Sequence, residues 1–158
     1  MITLTYARWV LEVDPRLTAL TYSKIAQGGA EECGCQGCLN FARARDRLYP
    51  AAVQKLFHEL GVDFKREAEV TYQCGLPGDL HSYDGWFHCV GNILSGRDGW
   101  REIAQGTHVP DVEQVDESFA LAFSNRYAPA NDAFKGLPLI QVFFLAKVPW
   151  LLPSAPPS

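Results

Sequence analysis

The sequence has little positive charge. Its 158 residues include 14 Lys and Arg against 18 Asp and Glu, which gives a formal net charge of −4 and a pI near 5.5. Binding to nucleic acid or to an anionic membrane surface depends on clustered Lys and Arg side chains. We therefore expect neither nucleic acid nor a membrane among the partners.

Long hydrophobic runs are also lacking. The most apolar stretch, residues 137–153, is interrupted by Gln141, Lys147 and Pro149, which leaves it too short to span a bilayer. The first residues have no basic segment followed by an apolar run, so they lack the pattern of a signal peptide. We expect a cytoplasmic protein in which most of the five cysteines are reduced.

Common catalytic motifs are absent as well. No G-x-S-x-G, Walker or G-x-G-x-x-G segment occurs, which removes the basis for predicting esterase, nucleotide-hydrolase or dinucleotide-binding chemistry. His58-Glu59 begins like a zinc-protease motif, but Val62 stands where the second histidine must be. The sequence is therefore more typical of a binding protein than of an enzyme.

The apolar pattern predicts a single α+β domain over residues 1–152, with a flexible tail at 153–158. Helices are predicted at about 38–48 and 51–60, the second from an apolar stripe with spacings of three and four residues. Runs typical of strands occupy residues 2–13, 17–25, 67–74, 83–94, 118–124 and 139–148. We expect them to form a mainly antiparallel, sandwich-like or curved sheet that the two helices cover.

The segments between these strands favour turns and loops. Residues 95–99 read as a hairpin turn that returns the chain into a short strand at 100–104. Asp84-Gly85 reads as a turn, and the acidic segment 106–117 reads as an exposed loop.

Three cysteines lie within six positions. Cys35 and Cys38 have the C-x-x-C spacing that allows two thiolates to bind one ion, and the intervening glycines permit the bend that would bring Cys33 to it. Zinc prefers sulfur and nitrogen ligands in a tetrahedral arrangement. The sequence thus indicates a zinc site at Cys33, Cys35 and Cys38. Spacing does not select a fourth ligand among Cys74, His81, His88 and Cys89.

Two other interpretations of the cysteines stay open. Cys35 and Cys38 could form the dithiol of a thiol-disulfide redox enzyme, because a helix start lowers thiol pKa values. Alternatively, all five thiols could be reduced and simply pack in the fold.

A second candidate site is the segment from His81 to Asn92, which is rich in polar and aromatic side chains. In a strand, Trp86 and His88 share one face, where they could line a ligand pocket. The competing interpretation is that His88 is a structural residue, hydrogen-bonded within the sheet.

Several segments together resemble a family of small uncharacterised bacterial proteins. They are the C-x-C-x-x-C-x-N-F segment from Cys33 to Phe41, the G-W-F-H segment from Gly85 to His88, and the P-W-L-L segment from Pro149 to Leu152. The resemblance implies a bacterial, cytoplasmic setting and brings no mechanism. With the composition, it leads us to expect a non-enzymatic binding or interaction module, immunity-like or regulatory, that acts on a protein or a small molecule.

Overall fold

A computed structural model describes residues 1–126 and 129–158. In these ranges the helices are α1 (Pro15–Tyr22), α2 (Gly29–Cys33), α3 (Gln36–Leu48) and α4 (Ala51–Leu60), with a short 3₁₀ helix at Asp132–Phe134. The strands are β1 (Ile2–Tyr6), β2 (Trp9–Val13), β3 (Glu69–Leu76), β4 (Leu80–Ser95), β5 (Trp100–Ala104), β6 (Thr107–Pro110), β7 (Glu113–Gln114), β8 (Phe119–Ser124) and β9 (Leu139–Pro149).

The main sheet is antiparallel and is organised around its two longest strands. Its order is β1-β2-β4-β9-β8-β7, and β3 pairs with the first part of β4 while β2 pairs with its last part. β4 and β9 align from Leu80 opposite Pro149 to Val90 opposite Leu139. This confirms the predicted α+β class and the mainly antiparallel sheet.

The helices cover one face of this sheet, as predicted. Phe41 of α3 packs on Tyr83 of β4 with ring centroids 5.5 Å apart, and Phe57 of α4 packs on Phe87 at 4.9 Å. These four side chains are fully buried because the alternation of β4 directs Tyr83 and Phe87 to the helical side. The outer face of the sheet is consequently the side that carries Asp84 and Trp86.

A two-stranded ribbon, formed by β5 and β6, lies over part of the outer face. Trp100 contacts Phe143 of β9 with ring centroids 4.8 Å apart. The predicted hairpin turn at 95–99 is therefore wrong, because β5 pairs with β6 and does not return along β4. The acidic segment 106–117 is also not a simple loop, since it contains β6 and β7.

The predicted strand at residues 17–25 is wrong, because α1 occupies most of it. Asp14 accepts a hydrogen bond from the N–H of Leu17 at 2.9 Å, and Pro15 occupies the first turn, where proline is compatible with a helix. The hydroxyls of Thr18 and Thr21 donate to the carbonyls four residues earlier. The β-branched residues that suggested a strand are thus accommodated in a short helix.

Other predicted segments differ in detail. Residues 2–13 form two strands, because Ala7 adopts a φ of 49° and turns the chain into a hairpin. Asp84-Gly85 lies within β4, where a Cβ at Gly85 would stand 2.5 Å from the carbonyl oxygen of Glu69. Glycine at that position reflects close strand packing and does not mark a turn.

Within the described ranges, no helix combines the length and the apolar character needed to cross a membrane. The residues after Pro153 are exposed, although the Ser154 hydroxyl donates to the Gln36 side chain at 2.6 Å. The flexibility of the tail stays a prediction.

Candidate metal centre

The cysteine cluster lies at the corner where α2 ends and α3 begins. α2 ends at Cys33, and Gly34 adopts a φ of 67°, which is the left-handed conformation that glycine tolerates at a helix C-terminus. Cys35 then caps the N-terminus of α3. The cysteine segment is thus a tight junction between two helices.

This corner brings the three predicted ligands together. The sulfur atoms of Cys33, Cys35 and Cys38 all lie within 4.8 Å of one another. Zinc binds thiolate sulfur at about 2.3 Å, so two sulfurs of a tetrahedral site stand about 3.8 Å apart. The three sulfurs therefore lie no more than about 1 Å beyond that separation.

The three thiols differ in environment. Cys33 and Cys35 are exposed, whereas Cys38 is buried. The backbone N–H of Cys38 donates to the Cys35 sulfur at 3.5 Å and lowers the pKa of the Cys35 thiol. Burial raises the pKa of the Cys38 thiol well above its ordinary value, and its sulfur contacts the Val70 carbonyl oxygen at 3.8 Å. A bound cation would offset the cost of ionising this buried thiol.

Neighbouring contacts fix the start of α3 against the sheet. The Tyr83 hydroxyl donates to the Gly37 carbonyl at 2.8 Å. Gly37 lies so close to β3 that a Cβ there would stand 2.8 Å from the Cβ of Tyr72. Asn40 is fully buried and accepts from the Leu151 N–H at 2.6 Å. The Cys35 and Cys38 end of the cluster therefore rests on a rigid support.

An ion-pair network positions the other side of the corner. Arg45 of α3 pairs with Glu31 of α2. It also pairs with Glu67, whose side chain is fully buried, with 2.5 Å between Arg45 Nη2 and Glu67 Oε1. Glu67 also accepts from the Ala30 N–H at 3.0 Å. Arg45 thereby links α2, which ends at Cys33, to α3 and to the segment before β3.

The candidate fourth ligands lie elsewhere. Cys74 is exposed on β3, and Cys89 is buried in β4, where burial raises the pKa of its thiol to about 12. His81 faces Tyr72, and the Tyr72 hydroxyl lies 3.0 Å from Nδ1 of His81. Among residues 1–126 and 129–158, the group of potential metal ligands consists of these three cysteines, and no fourth ligand atom of a described residue joins it.

Trp86 and His88 line two different concavities, although both were predicted to contribute to one pocket. Trp86 faces a recess of about 390 Å³ on the outer face of the sheet. His88 lines a cavity of about 180 Å³ beside Tyr22 and Phe134. A ligand role for either residue stays a prediction.

Sequence reasoning missed the residues that surround Trp86. The recess is lined by Asp84, Trp100, His108, Arg126, Gln141 and Phe143, which come from five segments of the chain. Trp100, which follows a glycine in a polar segment, was a weak sequence signal for this recess, because tryptophan is enriched at binding surfaces.

Comparison of the chain with family models, with curated proteins and with solved structures gave no match.

Proposed function

We propose that the protein is a non-enzymatic binding or interaction module in which Cys33, Cys35 and Cys38 hold one zinc ion. The observation that carries this proposal is the proximity of the three sulfurs, all within 4.8 Å of one another. Water, or a group of the bound partner, would complete the coordination. Three thiolates leave a zinc centre with net negative charge, which makes it a poor Lewis acid and favours a structural role over hydrolytic chemistry.

A structural ion at this corner would stabilise the short helix α2. α2 has five residues, and helices of that length are unstable without tertiary support. The ion would link the last residue of α2 to the N-terminal cap and the first turn of α3. This link would order α2 and the exposed surface around Cys33 and Cys35, where a partner could bind.

Metal content and stability test the proposal. We expect about one zinc per chain in protein purified without chelator. At free zinc 100-fold above its dissociation constant, the ion should stabilise the fold by about 2.7 kcal/mol. The measurements are elemental analysis and thermal unfolding with and without a strong chelator.

A pair of serine variants makes the test specific. Cys33→Ser removes an exposed ligand, whereas Cys74→Ser removes an exposed thiol outside the cluster. We expect Cys33→Ser to lose zinc and its stabilisation, while Cys74→Ser keeps both. Metal-free wild-type protein that gains no stability on addition of zinc would contradict the proposal.

The second candidate function is thiol-disulfide exchange, which the contrast between the exposed Cys35 and the buried Cys38 favours. The Cys35 thiolate would attack a substrate disulfide and release one substrate thiolate. Cys38 would then attack the Cys35 sulfur, which releases the second thiolate and leaves a Cys35–Cys38 disulfide for an external dithiol to reduce.

Alkylation separates this candidate from the zinc site. A redox dithiol should react rapidly with iodoacetamide below the pH at which free cysteine reacts, and Cys35→Ser should abolish this reaction. A zinc-bound cluster should resist alkylation until the chelator is added.

A further inference from the structure

The outer face of the sheet carries a second candidate site, separate from the cysteine cluster. Tyr83 of β4 faces the helices and contacts Gly37 of α3, whereas Asp84 and Trp86 alternate to the other side. Trp100 and His108 of the ribbon formed by β5 and β6 line this side together with Asp84 and Trp86, and the recess has a volume of about 390 Å³. This volume is within the range of small-molecule sites.

Aromatic rings form the apolar part of the recess. Trp86 stands directly opposite Phe143 on the neighbouring strand, and Trp100 packs against Phe143 from the ribbon. The Trp100 indole N–H donates to Gln141 Oε1 at 3.1 Å, which fixes the orientation of its ring. The rings therefore form a preorganised surface that suits the hydrocarbon part of a ligand and, through the indole face, a cationic group.

Opposite charges lie at the two ends of this surface. Asp84 is opposite Leu145 of β9, whereas Ser124, two residues before Arg126, is opposite Gln141. β9 lies between β4 and β8, so the two charged side chains reach the recess from strands on either side of β9. A ligand that carries two groups of opposite charge could therefore make a charge-assisted hydrogen bond at each of these side chains.

Two further observations support a ligand here. Asp84 already accepts from the Gln73 side chain at 2.9 Å, and burial raises the pKa of its carboxyl, so a nearby cation would be favourable. His108 Nε2 is buried in the recess wall and has no hydrogen-bond partner among the described residues. A bound polar group would satisfy this atom.

We propose that this recess binds a small zwitterion that carries an ammonium group and a carboxylate group at opposite ends of an apolar chain. The ammonium group lies at Asp84 and Trp86, the hydrocarbon chain lies along Phe143 and Trp100, and the carboxylate lies at Arg126. The cysteine cluster takes no part in this site.

Three matched probes test the proposal on the full chain. 6-Aminohexanoate carries both charged groups at the ends of an apolar chain, n-hexylamine carries only the ammonium, and hexanoate carries only the carboxylate. Isothermal titration calorimetry, with tryptophan fluorescence as a second readout, should show that 6-aminohexanoate binds about tenfold tighter than either single-charge probe. Binding should be the same with and without a metal chelator, which separates this site from the zinc site.

Variants assign each end of the ligand. Asp84→Asn keeps an acceptor for Gln73 and should lower the affinity for 6-aminohexanoate to that for hexanoate. Arg126→Gln should lower the affinity for 6-aminohexanoate to that for n-hexylamine. The matched controls Asp46→Asn and Arg47→Gln remove exposed charges on α3 and should change nothing. The proposal is overturned if the folded wild-type protein shows no saturable binding of 6-aminohexanoate, if the three probes bind equally, or if Asp84→Asn and Arg126→Gln both leave its affinity unchanged.

Discussion

Replacing Arg45 by methionine tests whether the buried ion pair holds the corner between α2 and α3. The Arg45 side chain is 7% exposed, and that of Glu67 is 0% exposed. In the variant, Glu67 keeps the N–H of Ala30 as a donor and loses its charged partner. Removing one member of a buried ion pair leaves an uncompensated charge, so we expect a loss of about 3–5 kcal/mol in the free energy of unfolding.

The pH dependence of this loss gives a sharper test. Burial already raises the pKa of Glu67 above its ordinary value, even with Arg45 present. Removing Arg45 should raise it further. A carboxyl with a raised pKa in the folded state favours folding below its unfolded pKa, and this contribution is lost as the pH rises through the folded pKa. The variant should therefore regain stability relative to wild type as the pH falls from neutral to about 5.

Urea unfolding at two pH values, followed by circular dichroism, measures both effects. Arg47→Met changes an exposed arginine of the same helix and should cost less than about 0.5 kcal/mol. Adding Glu67→Gln to Arg45→Met removes the orphaned charge and should recover part of the loss. A cost below about 1 kcal/mol for Arg45→Met at neutral pH, with no pH dependence, would refute the reasoning.

Two further predictions concern the glycine at the end of α4 and a buried tyrosine. Gly61→Ala should destabilise the protein by at least about 3 kcal/mol in thermal unfolding, because Gly61 has a φ of 77° and its Cβ would stand 2.1 Å from the Pro15 carbonyl oxygen. Gly78→Ala has a similar φ of 79° with open space around it, so it should cost about 1 kcal/mol, and equal losses would contradict the steric argument. Burial raises the pKa of Tyr83 to about 12, so its contribution to stability is present below about pH 10 and is lost as the pH rises through about 12. Tyr83→Phe should reduce the slope of stability against pH in this window by about 1.4 kcal/mol per pH unit, and an unchanged slope would show that Tyr83 ionises equally in both states.

The secure parts of the sequence prediction were those with a strong local pattern. The apolar stripe of α4 was assigned to residues 51–60, where the helix lies, because four apolar side chains recur on one face and Gly61 ends it. The strand predicted at residues 139–148 corresponds to β9, which lies between β4 and β8 and is buried over most of its length. In both elements the positions of the apolar residues along the sequence indicate which side chains are buried.

The wrong assignments came from residues whose general secondary-structure preference is outweighed by tertiary contacts. Thr18 and Thr21 favour strands in general, yet their hydroxyls bond to the helix backbone, and the Thr18 hydroxyl also accepts from the N–H of Val90. Asp84-Gly85 has the composition of a turn, although the fold needs glycine at position 85 because another strand passes too close for a side chain. These outcomes depend on neighbours that are distant in the sequence.

The sequence by itself determined that three cysteines lie within six positions, with glycines between them that permit a bend. Only the tertiary structure decided which groups surround them, since Arg45, Glu67 and Tyr83 reach the corner from separate elements. The same holds for the outer recess, where the pairing of β4 and β8 with β9 brings Asp84 of β4 and Arg126, which follows β8, to one concavity.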